Sequence, residues 1–497
     1  MTGTIRDILA GSGIVSVSDE TVLGKPCEGL AYDSRHVRNG YLFFAFVGAI
    51  LDGRKFAIAA TESGAAAVVS EAPRPEELTM PWIEVGHGRR ALAAAAKRYY
   101  DAPDERLGLT GITGTNGKTT CTYLVDALLR AAGFTTARIG TIGCEVAGVA
   151  EAVANTTPES LELMQIFART LEAGGSYATM EVSSHALAQG RVAGLHFHTA
   201  VFTNLTQDHL DFHGSMEEYF AAKRKLFEGE FRPPFAVINA DDVYGQQITP
   251  GAATKTLRYG LSEAADLRAE AIESSYSGLR FLACHGGNKY EVRSAMVGEI
   301  NVYNILAALG TGLSYGLEWE TMLAGIMSCP GVPGRFERLD VGQPFLVIVD
   351  YAHTDDALRN TLRMARQLLS GGKLITLFGC GGDRDRTKRP RMGMAAGELS
   401  DYVVLTSDNP RSEEPLSILN DVLVGLRRFD TPHAVEPDRA AGIALALGRA
   451  RAGDIVILAG KGHETYQVLQ DRTIDFDDRV VARQVLAKLG FGVSACA

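Results

Sequence analysis

The sequence predicts an α/β protein made of three domains, each built on strands that alternate with helices. Its 497 residues exceed what one hydrophobic core usually serves, and they suggest about three domains. Short apolar strands end in polar clusters and precede helix-like stretches, the pattern of parallel sheets that bind ligands at the strand ends. The 54 glycines suit many tight turns. We therefore expect a small N-terminal α/β domain, a central parallel-sheet domain and a doubly wound, Rossmann-like C-terminal domain.

Composition and charge argue against several classes of protein. Apolar residues make up 46% of the chain and charged residues 22%, as in ordinary soluble globular proteins. A formal net charge of −10 argues against broad nucleic-acid binding, whose affinity comes from neutralising phosphates. Seven scattered cysteines predict reduced thiols rather than disulfides or a zinc site. Residues 1–10 carry charges where a signal peptide needs an apolar core, and no apolar run approaches the ~18 residues of a membrane span. A cytoplasmic enzyme without a membrane or nucleic-acid partner is expected.

The N-terminal domain is predicted to span residues 1–105. Within it, residues 41–47 and 65–69 have the pattern of strands, and residues 54–63 have that of a helix. These short pieces indicate a small α/β unit. Residues 101–105 form a polar stretch with a proline, and they mark the boundary with the next domain.

A glycine-rich turn organises the central domain. It lies between the apolar residues 107–112 and the helix-like residues 121–132. A strand, a glycine turn and a helix start form a cradle for phosphate, because free backbone N–H groups and the helix dipole favour an anion there. Lys118 would reach the β- and γ-phosphates of a nucleotide, and the Thr119 hydroxyl would hold Mg²⁺. The residues of the turn are Gly114, Thr115, Asn116, Gly117, Lys118, Thr119 and Thr120.

The spacing of this turn differs from the usual Walker pattern. Ile112 stands five residues before Gly117, and Gly111 comes one position too early. The alternative is a glycine turn followed by a chance Lys-Thr pair. Because a strand precedes the turn and a helix follows it, we favour a phosphate loop and predict a P-loop ATPase-like central domain over residues 106–332.

Two further segments of the central domain carry candidate metal ligands. Apolar strands are predicted at residues 177–182, 199–205 and 235–238, with helices between them. Glu181 ends the first of these strands and could coordinate a metal beside the phosphate loop; the alternative is a solvated strand end. His209 follows the second strand in a segment rich in imidazoles and carboxylates. It is a candidate Mg²⁺ ligand, although Mg²⁺ usually prefers oxygen.

A lysine lies on the apolar face of the next predicted helix. Ser215 and Glu218 form the pattern of a capping box, which starts a helix that runs through residue 227. Lys223 shares a face with Tyr219, Phe220, Leu226 and Phe227. Desolvation there would lower the pKa of the lysine, and the neutral amine can add CO₂ to form a carbamate that binds metal. The alternative is a stem that packs while the ammonium reaches water.

The C-terminal domain is predicted over residues 333–497, after the proline- and glycine-rich stretch 329–334. A charged or glycine-rich loop follows each predicted strand, and in a doubly wound sheet the four loops converge on one crevice. The strands are predicted at residues 345–350, 373–378, 402–405 and 454–458.

The charges of these four loops predict the kind of ligand. Arg384 and Arg411 could bind carboxylates and Glu464 could bind an ammonium group, so the crevice suits an amino acid that carries extra charges. Each loop alone could be ordinary turn chemistry, and residues 384–391 could be a solvated basic face. Four loops in register and a glycine-rich entry favour a binding site.

These residues together resemble the Mur ligase family, and the resemblance covers all three domains. The turn at 114–120 is similar to the ATP loop of that family, including its short glycine spacing. Other hallmarks are Met-Glu-Val-Ser-Ser-His with Glu181, Asn-Leu-Thr-Gln-Asp-His ending at His209, Ala-Ala-Lys at Lys223, Asn-Val-Tyr-Asn at 301–304, Gly-Arg-Phe-Glu at 334–337 and Asp-Tyr-Ala-His at 350–353. Asp-Asn-Pro-Arg at 408–411 resembles the signature of the members that add meso-diaminopimelate to UDP-N-acetylmuramoyl-L-alanyl-D-glutamate.

The resemblance implies a role for each motif. Two Mg²⁺ ions would be held by Thr119, Glu181, His209 and the carbamate of Lys223. ATP would contact the phosphate loop, Asn301, Asn304, Arg335 and Asp350. Tyr32 and Ser34 would contact the uridine end, and residues 49–51 are apolar where relatives often have polar residues. The muramoyl-peptide part would contact Asn155, Thr156, Thr157, Ser183, Gln189 and Arg191. Diaminopimelate would contact Arg384, Asp408, Asn409, Pro410, Arg411, Gly460 and Glu464.

The implied reaction is ATP-driven amide formation by a monomeric enzyme. A D-glutamyl carboxylate would attack the γ-phosphate with help from Lys118, and an amine of diaminopimelate would attack the resulting acyl phosphate. Closure of the C-terminal domain about a hinge at residues 330–334 would exclude water. The alternatives are L-lysine as acceptor, a relative similar to folylpolyglutamate synthase, and an ATP-driven switch whose third domain binds a protein. The four charged loops and Arg411 favour diaminopimelate.

Overall fold

The computed structural model of the chain describes residues 3–47, 52–275 and 278–492. These residues form three α/β domains with mainly parallel sheets, so the predicted fold class is confirmed. The apolar residues 49–51 lie outside the described part of the chain. Every helix within the described part is too short or too polar to cross a membrane.

The N-terminal sheet has five strands. Its elements are α1 (Ile5–Ile8), β1 (Ile14–Val17), β2 (Gly29–Ala31), β3 (Tyr41–Phe44), α2 (Ala57–Glu62), β4 (Ala67–Ser70), β5 (Trp82–Val85) and α3 (Gly88–Tyr99). The strand order is β1-β5-β4-β3-β2, with β1 antiparallel to β5 and the other neighbours parallel. The predicted strand, helix and strand correspond to β3, α2 and β4.

The central sheet has eleven strands, and its middle strands are parallel. Its elements are β6 (Gly108–Thr113), α4 (Lys118–Ala131), β7 (Thr136–Gly140), β8 (Gly143–Val146), β9 (Val149–Glu151), α5 (Ser160–Glu172), β10 (Tyr177–Glu181), α6 (Ser184–Gln189), β11 (Thr199–Phe202), α7 (Leu210–His213), α8 (Met216–Arg224), β12 (Phe235–Asn239), β13 (Lys255–Gly260), β14 (Leu267–Ser275), β15 (Gly278–His285), β16 (Asn288–Ser294), α9 (Glu299–Ser314) and α10 (Trp319–Ser328). The order is β16-β15-β14-β13-β12-β11-β6-β10-β7-β8-β9. The pairs β14–β15, β15–β16, β7–β8 and β8–β9 are antiparallel. Because β6 lies between β10 and β11, the phosphate loop, Glu181 and the segment with His209 leave the sheet at the same edge.

The C-terminal sheet has six strands and a separate hairpin. Its elements are β17 (Glu337–Leu339), β18 (Leu346–Asp350), α11 (Asp355–Leu368), β19 (Leu374–Phe378), α12 (Lys388–Leu399), β20 (Tyr402–Leu405), α13 (Pro415–Leu426), β21 (His433–Val435), α14 (Arg439–Arg449), β22 (Ile455–Ala459), β23 (Tyr466–Val468), β24 (Thr473–Asp475) and α15 (Asp478–Lys488). The order is β17-β18-β22-β19-β20-β21, and β17 is antiparallel to β18. The four strands that precede the charged loops, β18, β22, β19 and β20, are adjacent and parallel, so their loops emerge side by side.

The three domains are joined in two different ways. One cluster of buried apolar residues runs without a break from the N-terminal sheet into the central domain, from Ile5 and Leu92 to Phe167 and Phe197. Among the described residues, no such cluster crosses from the central into the C-terminal sheet. Hydrogen bonds and smaller apolar contacts connect those two domains. Asp356 at the start of α11 accepts hydrogen bonds from the central domain, and the partly buried Val297 packs against the C-terminal core. The first two domains therefore form a single packed unit.

Candidate active site

The phosphate loop has the backbone that the sequence predicts. The chain leaves β6 and enters α4 at Lys118, earlier than the expected helix start. Gly114 and Gly117 have φ angles of +151° and +87°, and a Cβ atom on either would collide with Thr203 or Asn304. No side chain of the described residues caps the first turn of α4, so its N–H groups are free to bind an anion.

The terminal nitrogens of two lysines meet at one carbonyl of this loop. Lys118 Nζ donates to Gly114 O at 2.9 Å and to Thr115 O at 2.8 Å. Lys223 Nζ also donates to Gly114 O, at 2.7 Å. Lys223 is only 1% exposed, so the predicted desolvation is confirmed and the alternative, an ammonium that reaches water, is wrong. Burial, and next the charge of Lys118, lower the pKa of Lys223 well below its ordinary value, which favours the neutral amine that carbamate formation needs.

Helix α8 supplies this buried position. The Ser215 hydroxyl accepts the Glu218 N–H at 3.2 Å, as expected of an N-cap, but the reciprocal bond of a capping box is not formed among the described residues. The α-helix ends at Arg224 and a 3₁₀ turn continues to Phe227, so the α-helix is shorter than predicted. The apolar neighbours of Lys223 are all buried, namely Tyr219, Phe220, Leu226 and Phe227.

Glu181 lies directly against the phosphate loop. Its Oε1 accepts hydrogen bonds from the Thr119 hydroxyl at 2.9 Å and from the Thr141 N–H at 2.8 Å. Glu181 is 1% exposed, so the alternative of a solvated strand end is wrong. Arg335, which follows the 330–334 linker, donates to the same Thr119 hydroxyl at 3.3 Å. A carboxylate and a hydroxyl are thus adjacent at the start of α4.

The residues expected to hold metal line one small cavity. It has a volume of about 210 Å³, and Thr119, Glu181, His209 and Lys223 all contribute to its wall. The oxygens of Thr119 and Glu181 fit Mg²⁺, whereas the Lys223 ammonium fits only after conversion to a carbamate. His209 has a backbone φ of +53°, and partial desolvation in the cleft lowers the pKa of its imidazole to about 4, which favours the neutral form that can coordinate a metal. Among the described residues, no three His, Cys, Asp or Glu side chains form a ready-made metal centre.

A second cavity, of about 560 Å³, lies beside the phosphate loop and extends to the C-terminal domain. The expected nucleotide contacts Asn301, Asn304, Arg335 and Asp350 all line it, together with apolar residues such as Met296. An apolar slot with a few amide and guanidinium groups next to a phosphate cradle suits a nucleotide base and ribose.

The carboxylate of Asp350 accepts most of its hydrogen bonds from other groups of the protein. Its carboxylate accepts the Phe336 N–H at 2.6 Å, the Ala352 N–H at 3.0 Å and the Thr361 hydroxyl at 2.9 Å. It therefore fixes the segment that follows the linker, and little of its hydrogen-bonding capacity is left for a nucleotide.

The four charged loops of the C-terminal domain converge on a third cavity, of about 990 Å³. This agrees with the crevice expected from the order of the strands. Six of the seven residues expected to bind diaminopimelate line it: Arg384, Asp408, Asn409, Arg411, Gly460 and Glu464. Pro410 is not part of this wall; its carbonyl accepts the Glu413 N–H at 3.1 Å and closes the turn. Arg411 Nη1 donates to the Gly382 carbonyl at 2.7 Å, which joins two of the loops.

The first and third cavities share a wall. Asp208 and His209 of the central domain and Tyr351 and His353 of the C-terminal domain line both of them. A group at the phosphate loop and a group held by the four loops would therefore contact the same set of side chains.

The residues expected to bind the UDP-muramoyl peptide are spread over a longer path. Thr156 and Ser183 line the cavity at the phosphate loop. Thr157 lies behind them and donates to the Glu181 carbonyl at 2.9 Å, and Arg191 donates to the Thr157 carbonyl at 3.1 Å. The remaining residues of this group, Asn155, Gln189, Tyr32 and Ser34, line neither of the cavities at the phosphate loop and the four loops.

Tyr32 instead lies where the N-terminal domain meets the central one. Its hydroxyl donates to Glu162 at 2.5 Å, and its ring stacks on Phe46 with centroids 5.9 Å apart. Arg89 lies 4.4 Å above the Phe46 ring and also pairs with Glu159 at 3.2 Å. A polar and aromatic surface thus continues from the central cavities toward the N-terminal domain.

Known proteins match the chain along most of its length. The family profile described as Mur ligase family, catalytic domain, matches residues 26–100; Mur ligase middle domain matches 112–312; and Mur ligase, glutamate ligase domain, matches 334–462. The UDP-N-acetylmuramoyl-L-alanyl-D-glutamate–2,6-diaminopimelate ligase of Solibacter usitatus is 63% identical over 465 residues, 93% of this chain and 94% of that protein. The chain belongs to the Mur ligase family.

Two further relatives agree with this assignment. The ligase of the same name from Geobacillus thermodenitrificans is 47% identical over 460 residues, 91% of this chain and 94% of that protein. A solved structure of a UDP-N-acetylmuramoyl-L-alanyl-D-glutamate–2,6-diaminopimelate ligase is 33% identical, with a TM-score of 0.69 over 99% of this chain and 100% of that chain. This Mur ligase is accordingly an ATP-dependent ligase, as expected from its motifs.

Sequence reasoning missed several residues of the site of this Mur ligase. Arg89 and Glu159 pair across the first two domains, and no short motif contains both. Arg389 is fully buried and donates to both carboxylate oxygens of Glu413, at 2.9 and 2.7 Å, behind the cavity formed by the four loops. The basic stretch 384–391 is therefore partly structural, and only the apolar spacing of α12 could have indicated which arginine points inward.

Proposed function

We propose that this Mur ligase joins meso-2,6-diaminopimelate to UDP-N-acetylmuramoyl-L-alanyl-D-glutamate with ATP and Mg²⁺, in the cytoplasmic synthesis of peptidoglycan precursors. The main support for the proposal is the wall that the phosphate-loop cavity and the four-loop cavity share. A carboxyl group activated in the first cavity would lie next to an amino acid bound in the second. The names of the relatives support diaminopimelate as the acceptor.

In the first step, the D-glutamyl side-chain carboxylate attacks the γ-phosphate of ATP. The free N–H groups of α4 and the Lys118 ammonium neutralise charge that builds up on the phosphoryl oxygens. Lys118 already points at the loop carbonyls, so binding of the nucleotide needs only a local shift of its ammonium group. ADP leaves and an acyl phosphate remains.

Mg²⁺ bound by Thr119, Glu181, His209 and carbamylated Lys223 would add positive charge beside the phosphates. The chain's own contribution is to hold these side chains in one cavity and to keep Lys223 out of water.

In the second step, an amine of diaminopimelate attacks the acyl carbonyl, and phosphate leaves as the amide forms. Arg384 and Arg411 bind carboxylates of the amino acid and Glu464 binds an ammonium group. The acyl phosphate would hydrolyse in open water, so we propose that the C-terminal domain closes about residues 330–334 before chemistry.

We also propose domain boundaries, an oligomeric state and the residues that contact each ligand. The domain boundaries are 1–105, 106–332 and 333–497. The enzyme is a monomer without nucleic-acid or membrane partners. Asn301, Asn304 and Arg335 contact the nucleotide, and Asp350 serves it indirectly by fixing the segment that lines the same cavity. The UDP-muramoyl peptide extends from Ser183 and Thr156 along Thr157, Asn155, Gln189 and Arg191 toward Tyr32 and Ser34.

Phosphate release with a panel of amino acids tests this function. We expect release only when ATP, the UDP-muramoyl dipeptide and meso-diaminopimelate are all present, with the tripeptide product identified by mass spectrometry. Equal turnover with L-lysine would instead favour a lysine-adding enzyme. ATP hydrolysis that responds to a macromolecule and not to an amino acid would favour the switch.

A further inference from the structure

Lys461 is a fully buried lysine behind the wall of the four-loop cavity, which is the proposed amino-acid site and is called the amino-acid cavity below. It follows β22 in the glycine-rich loop, and its side chain has 0% exposure. It does not line the cavity, although Gly460 and Glu464 of the same loop do. A buried ammonium group is strongly unfavourable unless it is paired, so its partners indicate its role.

The partners of Lys461 are all residues of the amino-acid cavity. Its Nζ atom is 3.1 Å from Asn409 Oδ1, 3.1 Å from Glu464 Oε2 and 3.6 Å from Asp408 Oδ1. These three residues come from two different loops, one after β20 and one after β22. The ammonium group therefore ties together the two loops on which the cavity depends.

The arrangement determines which oxygen of Glu464 is available to a ligand. Glu464 Oε2 accepts hydrogen bonds from Lys461 and from Asn409 Nδ2, the latter at 3.0 Å. No described residue hydrogen-bonds Glu464 Oε1. One oxygen is thus held by the protein, and the other is left for a donor in the cavity that Glu464 lines.

A second set of bonds makes this arrangement rigid. Asn409 Oδ1 also accepts the Val468 N–H at 3.0 Å, and Gln467 Nε2 donates to the Asp408 carbonyl at 2.7 Å. The amide of Asn409 consequently has a fixed orientation, with its oxygen toward Lys461 and its nitrogen toward Glu464.

We propose that Lys461 is a positioning residue of the amino-acid site, which holds Glu464 so that Oε1 can accept a hydrogen bond from an ammonium group of the bound amino acid. Lys461 acts through Glu464 and does not touch the substrate. The inference rests on the proposed function, because it requires that the cavity bind an amino acid.

The test is a double-mutant cycle with separate KM values for meso-diaminopimelate, ATP and the UDP-muramoyl dipeptide. Lys461→Met removes the charge and retains most of the side-chain length. We expect it to raise the KM for diaminopimelate by about tenfold or more and to leave the other two KM values within about twofold. In a Glu464→Gln background, the same substitution should change the KM for diaminopimelate by less than about threefold, because the group that Lys461 orients is altered. Lys488→Met, on the exposed end of α15, is the matched control.

Two results would overturn the proposal: equal increases in all three KM values, or additive effects of Lys461→Met and Glu464→Gln. If Lys461→Met fails to fold, as judged by its melting curve, the double variant is compared with Glu464→Gln by the same criterion. A double variant that also fails to fold would assign Lys461 to stability alone.

Wild-type turnover with an amino-acid panel is measured first. If the wild type uses a different amino acid, the proposed acceptor is wrong, and the cycle is run with the amino acid that it uses.

Discussion

Single residues at the phosphate loop allow the most direct test of the chemistry, and Lys223 is the most informative of them. Its amine lies 2.7 Å from the Gly114 carbonyl and is shielded from water. We expect Lys223→Ala to lower kcat by more than about 100-fold, because it removes the metal-binding carbamate, and with it a negative charge, from the cavity. Phosphate release under saturating substrates measures this effect.

Chemical rescue distinguishes a carbamate from a simple packing role at this position. Short carboxylates such as acetate should partly restore the turnover of Lys223→Ala, because they can occupy the space and supply the missing oxygens. Lys225→Ala, which alters an exposed lysine of the same segment, should remain active. Full activity of Lys223→Ala without an additive would refute the carbamate.

Arg411 provides a residue-scale test of the amino-acid site. Its guanidinium spans two loops through the Gly382 carbonyl and lines the cavity. Arg411→Ala should raise the KM for meso-diaminopimelate by about tenfold or more and the KM for ATP far less. Arg411→Lys should lie between the two, because it keeps the charge and loses the planar fork. Equal changes in both KM values would contradict the assigned role.

At this scale, the sequence was informative where a function is concentrated in a short motif. Glu181 and Lys223 could be found because the residues that indicate their roles lie close together in the chain, at one strand end and on one helix face. Lys461 was not recognised, because its partner Asn409 lies 52 residues earlier in the chain. Pairings of this kind depend on tertiary structure, which local spacing does not encode.

At the scale of elements, the junction of α12 and α13 supports the amino-acid cavity. Hydrogen bonds from Arg389 hold the pKa of Glu413 down at about 2, and Glu413 in turn accepts the Asp383 N–H at 2.6 Å. A depressed carboxyl pKa means that this contribution to stability is complete above the ordinary pKa of about 4.5 and is lost as the pH falls toward 2.

Glu413→Gln is therefore expected to destabilise the C-terminal domain at pH 7 by about 1–3 kcal/mol, because it weakens the pairing of a buried arginine. The loss should shrink as the pH is lowered from 4.5 toward 2, where wild-type Glu413 also becomes neutral. Melting curves of the two proteins across this pH range measure the difference. A difference that stays constant with pH would show that the charge of Glu413 is unimportant.

The elements that could be predicted are those buried on both faces. All five residues of β19 and of β22 are buried, and such continuous apolar runs stand out in the sequence. The antiparallel strands β14–β16 at the edge of the central sheet were not predicted. They alternate buried and exposed residues and carry many charges, so a search for apolar runs passes over them.

At the scale of the whole molecule, Asp356 links the C-terminal domain to the phosphate loop. Its carboxylate accepts hydrogen bonds from Asn116 at 3.2 Å and from Thr206 at 3.0 Å. We expect Asp356→Ala to enlarge the radius of gyration of the free enzyme in small-angle scattering and to lower kcat by about tenfold, because the two domains lose a direct contact. Asp356→Asn retains an acceptor oxygen and should be affected less. Identical scattering of the alanine variant and the wild type would refute a role of Asp356 in holding the two domains together.

The apolar layer shared by the first two sheets determines how the polypeptide can be divided. Cutting after residue 105 would expose buried side chains such as Leu92 and Phe167 to water, so a fragment that starts at residue 106 should aggregate. Cutting after residue 332 breaks the hydrogen bonds of Asp356 and the contact of Val297 with the C-terminal core, but it divides no cluster of buried apolar residues among the described ones. The fragment 333–497 should therefore express as a soluble, monomeric protein on a sizing column, and insolubility of this fragment would contradict the division. An inhibitor designed to bind between the central and C-terminal domains would then find cavities lined by both, whereas packed apolar side chains fill the junction between the first two domains.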